Sequence, residues 1–270
     1  MTTALAIYTP EPNDPPALQA LPAAIEQIQS LLPSDQVDRF VRGVALYVRS
    51  TPSLHTAEPA SVLQSVLTAA RIGLELGTEA YIVAYGKEKV ATLLPGYKGY
   101  RALAMRTHGI LVQADLIYEA DAYEDDMGVI LHHRKSPVES KLLWAYAVAT
   151  LPDGRRIGKM LPAYLLEKKR RRALDSIEDR NKRATSPWQT HPEAMYIKSA
   201  VRALFNDGSV PVHDSRMREL IDLDRHAEAT VEQPKPRSVL PFHPRPYLLT
   251  EAPAEEATTT PAPAELPEGF

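Results

Sequence analysis

The chain has 270 residues, 44% apolar and 24% charged, ordinary values for a soluble globular protein with room for one large core or two small ones. It contains no cysteine, which excludes disulfides, zinc–thiolate centres and thiol nucleophiles and fits a reducing compartment. With 31 Lys/Arg against 34 Asp/Glu the formal charge is −3, so the whole-chain average singles out no partner.

No apolar run approaches the roughly 18 residues that span a bilayer, and Met1-Thr2-Thr3-Ala4 lacks the basic region and apolar core of a signal peptide. A soluble intracellular protein is expected. Proline and charge then divide the chain. Residues 1–33 hold six prolines and read as a loosely ordered arm. Residues 227–270 hold nine prolines and seven acids against three bases, and read as a disordered acidic tail. Between them, residues 34–226 form the expected core. Its stretch from Arg155 to Arg202 has 13 Lys/Arg against five Asp/Glu, a net of +8 hidden by the acidic ends.

In chain order, Val37, Phe40, Val41, Val44, Tyr47 and Val48 recur with a helical period over residues 35–49, with Ser34 placed to cap the helix. A second helix is expected from Pro59 to Arg71, ending at Gly73. The period then falls to two. Tyr81–Tyr85 and Val90–Leu94 flank Gly86-Lys87-Glu88-Lys89, a β-hairpin with a lysine-bearing tip. A helix opens at Gly96-Tyr97-Lys98-Gly99-Tyr100-Arg101 and ends near Gly109. A strand over Ile110–Tyr118 precedes an acidic loop around Asp121–Asp126. Strands Trp144–Leu151 and Arg155–Met160 are joined by Pro152-Asp153-Gly154, a strong turn signal. Pro162 starts a helix carrying Lys168-Lys169-Arg170-Arg171-Arg172, and a last helix runs from Pro192 to Phe205. This order predicts an α+β fold, an antiparallel sheet packed on helices.

The chemistry-bearing residues are mostly cations interleaved with rings. Tyr97, Lys98 and Arg101 fall within about a 100° arc of their helix, Lys198 and Arg202 are four apart on one helix face, and Trp188 lies between these groups in sequence. Cations that neutralise phosphates beside rings that accept a base are what single-stranded nucleic acid requires. The alternative, equally open from the sequence, is that Tyr97 and Trp188 are core residues and the lysines a solvated face. The run at 168–172 sweeps about 400° of a helix, so part of it must face water whatever it does.

Other chemistries find less support. Asp153, Glu167 and Lys169 superficially match the Pro-Asp…Glu-x-Lys pattern of Mg-dependent nucleases, but in a turn and a helix rather than on a strand. Asp121, Glu124, Asp125 and Asp126 could hold Mg2+, although a solvated acidic loop is the simpler account. His132 and His133 are strand neighbours and point to opposite faces. Gly86-Lys87 is followed by Glu88, so it is no phosphate-binding loop of an NTPase.

The segments Gly73-Leu74-Glu75-Leu76-Gly77, Ala80–Gly86, Pro95–Arg101, Ser186-Pro187-Trp188 and Met195–Leu204 together resemble the RecT family of phage single-strand annealing proteins, over roughly residues 35–212. Two departures are Ala84, where the family usually has proline, and Phe205-Asn206-Asp207-Gly208, where a further lysine is usual.

The resemblance implies a curved antiparallel sheet on a long helix. It also implies an ATP-independent, non-enzymatic protein of the bacterial host cytoplasm that coats single-stranded DNA and anneals it to its complement. Partners implied are single-stranded DNA, the annealed duplex and further copies of the chain in a ring or helical filament. A 5′–3′ exonuclease and the host single-strand-binding protein complete the set. No cofactor is expected to be required, with Mg2+ compatible. The basic groove would use Lys87, Lys89, Lys98, Arg101, Arg155, Arg156, Lys159, Lys198 and Arg202, with Tyr97 and Trp188 as stacking rings.

Overall fold

The computed structural model describes residues 7–212 and 214–232. Ten α-helices and seven strands follow one another among them, and the strands pair antiparallel in three separate sheets. This is the α+β architecture expected.

The first difference lies at the amino-terminal side. Residues 16–31, within the segment expected to be a loose arm, form α1 (Pro16–Ala20), a 3-10 turn and α2 (Ile25–Leu31). Leu18, Leu21, Ile25 and Ile28 are buried in the core. The prolines stand where they cost no helical bond, Pro16 in the first turn of α1 and Pro22 at the start of the 3-10 turn. Arg49 fastens this segment to the body, donating to both oxygens of Asp14 at 2.7 and 3.0 Å.

Helix α3 (Ser34–Ser50) buries Val37, Val41, Val44 and Val48 of the stripe read from the sequence, with Ala45 beside them, and holds Phe40 and Tyr47 half-buried against the core. Ser34 is its first residue and makes no capping bond, because Pro33 occupies the cap position. Helix α4 (Pro59–Ile72) is capped by the Glu58 carboxylate, which accepts from the amides of Ala60 and Ser61. It packs small residues against the hairpin β1 (Ala80–Tyr85) and β2 (Val90–Pro95). There the Ser61 hydroxyl accepts from the Ala91 amide at 2.8 Å and Ser65 donates to the Ala91 carbonyl at 3.4 Å. Two serines thus satisfy the outward backbone groups of a strand edge that the helix covers.

Helix α5 (Tyr97–His108) explains the glycines of its motif. A β-carbon on Gly99 would stand 2.5 Å from the Glu79 carbonyl oxygen, so only glycine lets the 77–80 loop cross the helix start. Arg106 holds that loop from the other end of α5, bonding both oxygens of Glu79 at 2.6 and 2.9 Å.

The main sheet has the order β3 (Leu111–Tyr118), β6 (Leu142–Thr150), β7 (Arg156–Pro162). Ala145, Ala147 and Ala149 face the core, where α9 (Pro192–Asn206) packs closely because the alanines are small. The acidic stretch expected as a loop is instead β4 (Ala122–Asp126), paired with β5 (Val129–Arg134). This hairpin lies over the other face of the sheet and shares a small apolar cluster of Ile117, Ile130, Tyr146 and Val148 with it. Helices α6 (Ala163–Asp175), α7 (Arg180–Thr185) and α8 (Pro187–Thr190) follow the sheet.

Helix α10 (Ser215–Glu232), unmarked by any strong signal, buries Met217 and Leu220. Residues 227–232, assigned to the tail by composition, are its last turns. The rest of that tail lies outside the described residues. Among the described residues no helix is long and apolar enough to cross a membrane.

Candidate nucleic-acid interface

Strand pairing sets which side chains share the outer face of the sheet. Gln113 is opposite Val148, Asp115 opposite Tyr146, and Thr150 opposite Arg156. Because side chains alternate along a strand, Gln113, Asp115, Tyr146, Val148 and Arg156 point the same way, toward the β4–β5 hairpin. The hairpin covers only part of this face. Beside it an open, mainly polar cleft of about 420 Å³ is lined by Gln113, Asp115, His132, Tyr146 and Arg156, with Arg101 of α5 on its wall. Helix α5 packs against β3, an outer strand of the sheet, so its Arg101 reaches this face.

Each wall is fixed. Arg156 donates to the Ile130 carbonyl at 2.5 Å, joining β7 to the hairpin. Asp115 accepts from Lys135 at 2.9 Å. His133 is almost fully enclosed, bonded to Asp121 at 3.1 Å and to the Tyr146 hydroxyl at 3.3 Å. Burial alone would raise the Asp121 carboxyl. The amides of Ser136 and Tyr118, together with His133, outweigh it and hold the group below the usual carboxylate range. Asp121 is therefore the anchor of the hairpin rather than part of a solvated loop.

The remaining expected groove residues are spread over other surfaces. Lys87 is exposed at the tip of the β1–β2 hairpin, and Lys89 there donates to the Thr56 hydroxyl at 2.7 Å. On α5, Lys98 is exposed while Tyr97 is half-buried against the core. Arg155, Arg156 and Lys159 do not form one row. Arg155 lies in the turn before β7 and pairs with Asp153 at 2.7 Å. Lys159 is an odd number of residues from Arg156, so it faces the opposite side and meets Asp207 at 3.1 Å. Trp188 is half-buried with its ring 6.3 Å from that of Tyr196.

Lys198 and Arg202 do share a face of α9, but that face looks inward at α10. Both stand 3.1 Å from Asp224, a carboxylate with 2% of its side chain exposed. The run on α6 also divides. Arg170 turns in to the Trp188 carbonyl at 3.0 Å, while Lys168, Arg171 and Arg172 are exposed.

The family model described as RecT family matches residues 38–209. The chain belongs to the RecT family. It is also 26% identical to Protein RecT of Escherichia coli (strain K12) over 234 residues, which cover 81% of this chain and 82% of that protein. As a RecT family member the protein is a recombination and strand-annealing protein of the phage type. The matched span runs from α3 to just past α9. It therefore takes in Arg101 and Arg156, but neither the helices at 16–31 nor α10.

The nuclease pattern does not assemble in this RecT family fold. Asp153 lies in the turn that opens β7 and Glu167 on the helix that follows it. A seven-residue strand, about 20 Å at 3.3 Å per residue, separates them. Glu167 is bonded instead to the Tyr196 hydroxyl. Among the described residues no three His, Asp or Glu side chains gather as a metal site.

Gln113, Asp115, Tyr146 and Asp224 are not singled out by the sequence. Alternation along the strands could have suggested the first three as neighbours. Nothing local marks Asp224, which is one acid among several on α10.

Proposed function

We propose that this protein binds single-stranded DNA and anneals it to a complementary strand without ATP and without covalent catalysis. The observation that carries the reading is the meeting of Arg101 and Arg156, 55 residues apart in sequence, on the walls of one polar cleft. A chain of phosphates is attracted to such a cleft, and each contact releases condensed counterions. Lys98, on the same helix as Arg101, is exposed, and Lys168, Arg171 and Arg172 are exposed on α6. Lys87, Lys89, Tyr97, Arg155, Lys159 and Trp188 remain candidates for contacts made by an assembly of subunits, in a ring or helical filament.

The driving force needs no nucleotide hydrolysis. Side-chain cations offset phosphate repulsion between two strands, and stacking of about 1.4 kcal/mol per step then favours the duplex. No cofactor is required in this reading, and Mg2+ enters as a counter-ion of the phosphates. A 5′–3′ exonuclease that exposes the strand and the host single-strand-binding protein are the partners such a role needs, in the cytoplasm of a bacterial host.

The test is to mix complementary oligonucleotides with the protein, without ATP, across a salt series. Annealing should be faster than in the protein-free mixture. An equal rate at every salt concentration overturns the reading.

A further inference from the structure

Two oppositely charged surfaces lie outside the cleft. Strand β4 pairs only with β5, so its other edge is open, and all five of its residues are exposed. It carries Glu124, Asp125 and Asp126 and leads into a turn whose Met127 is 98% exposed. Met127 has a φ of 47°, a left-handed conformation that Asn or Gly usually takes in a two-residue hairpin turn. A methionine there serves neither the turn nor the core.

On α6, Tyr164, Lys168, Arg171 and Arg172 fall within about a 100° arc. All four are exposed, Tyr164 at 69%. Asp175, the last residue of the helix, is the acid at the end of this face. The opposite side of α6 turns in, with Leu166 fully buried and Arg170 bonded to the Trp188 carbonyl. Leu166 belongs to the core shared with α9, whereas Ile130 of the β4–β5 hairpin belongs to the cluster on the other face of the sheet. Among the described residues, no ion pair or side-chain hydrogen bond engages Glu124, Asp126, Lys168, Arg171 or Arg172.

The two surfaces are complementary in charge and in spacing. Glu124 and Asp126, alternate residues of one strand, are about 6.6 Å apart along β4. Lys168 and Arg172, one helical turn apart, are separated by about 6 Å along α6. Charges on an open strand edge discourage pairing with another strand, but acids there attract a basic helix.

We infer that the acidic edge of the β4–β5 hairpin docks on the exposed basic face of α6 in a second copy of the chain. Asp126 meets Lys168, Glu124 meets Arg172, and the Met127 thioether packs on the Tyr164 ring. Exposed ion pairs contribute little singly, so the sulfur–aromatic contact anchors the joint and the charges set its register. Each copy offers both surfaces, and they differ, so the contact is head to tail. It repeats into a ring where the rotation closes and into a helical filament where it does not. This rests on the assembly of subunits in the proposed function, and it assigns the outer face of α6 to the neighbouring copy rather than to DNA.

The chain has no cysteine, so introduced thiols report this contact alone. Full-length protein carrying Met127→Cys and Tyr164→Cys, oxidised with copper phenanthroline in air with and without oligo-dT, should give a ladder of disulfide-linked multimers on non-reducing gels. Met127→Cys combined with Leu46→Cys, a 67% exposed position on α3, should give several-fold fewer multimers. No ladder in either condition, or an equal yield from the Leu46 pair, overturns the inference. Adding Lys168→Glu and Arg172→Glu should reduce the ladder several-fold, and adding Glu124→Lys and Asp126→Lys as well should restore it. A reversal that weakens oligo-dT binding but leaves the ladder unchanged overturns the inference and gives α6 to DNA. A protein that forms the ladder yet does not speed annealing strikes the proposed function instead.

Discussion

Gly158 on β7 lies against the backbone of Val129 in the facing hairpin, where a β-carbon at position 158 would stand 2.6 Å from the Val129 Cα. Neither backbone segment is a flexible side-chain tip that could move aside. Gly158 therefore sets how closely the β4–β5 hairpin seats on the sheet, and with it the shape of the cleft that Arg101 and Arg156 line. Gly158→Ala should cost about 1–3 kcal/mol, the usual range for overpacking. It should also weaken binding of single-stranded DNA although no charge is lost. Urea denaturation and oligonucleotide binding measure the two effects, and an alanine variant of unaltered stability would show that the hairpin sits farther off.

Removing charge from the cleft has a different signature. Arg101→Ala should lower oligo-dT affinity and flatten the log–log salt slope by about 0.7, the share of one phosphate contact, with little change in stability. Arg156→Ala should do the same and also destabilise, because the Ile130 carbonyl loses its donor. A slope identical to that of the unaltered protein in both variants would place the phosphates elsewhere.

The amino-terminal helices are part of the core. Leu18, Leu21, Ile25 and Ile28 are each no more than 1% exposed. At about 1.5–3 kcal/mol per buried side chain, together they contribute an amount comparable with the entire stability of about 5–15 kcal/mol of a typical domain. A chain starting at residue 34 should be insoluble or unfolded, as judged by circular dichroism and thermal melting. A cooperative melt near that of the full chain would contradict this.

Acid should unfold the protein through identifiable carboxyls. The Arg49 guanidinium, opposed by burial and helped by Tyr8, holds Asp14 well below the usual carboxylate range, and Asp121 is also held low. A depressed native value means that the stabilisation is complete above the unfolded value of about 3.9 and fades as pH falls through the native one. The urea midpoint should therefore be flat from neutral pH to about pH 5 and drop below about pH 4. Asp14→Asn should start lower and lose less on acidification. A pH-independent midpoint in that variant and in the unaltered protein alike would remove both carboxyls from the account.

Trp188 separates packing from stacking. Its ring is half-buried beside Tyr196, so Trp188→Ala should cost about 2 kcal/mol, near the lower end for large-to-small changes. The chain has two tryptophans. If the exposed part of this ring stacks on a base, oligo-dT should quench emission in the unaltered protein and much less in Trp188→Phe. Equal quenching in the two would leave Trp188 a packing residue.

Local pattern alone determined most of the elements. The period of α3, the Pro59 and Gly73 boundaries of α4, the β1–β2 hairpin and the Pro-Asp-Gly turn between β6 and β7 are all written in neighbouring residues, because helix and strand periods differ and turn residues have fixed backbone preferences. The glycines at 96 and 99 could be seen as a motif, and so could the family resemblance that they help to carry, but not the Glu79 carbonyl that Gly99 accommodates. Proline content misled at residues 16–31, since proline at a helix start sacrifices no bond and four well-spaced apolar residues were enough to seat the segment. The acidic stretch at 122–126 misled in the same way, because its hairpin is held by Asp121, Ser136 and His133 rather than by apolar alternation.

What each cation does was decided only by tertiary structure. Sequence places Lys198 and Arg202 on one face of a helix, and it is right. Whether that face meets water, DNA or a buried carboxylate depends on where α10, beginning 13 residues beyond Arg202, comes to rest. A charge acts through space, over a few ångströms and at a strength set by burial, so the partner that fixes its role can lie anywhere along the chain.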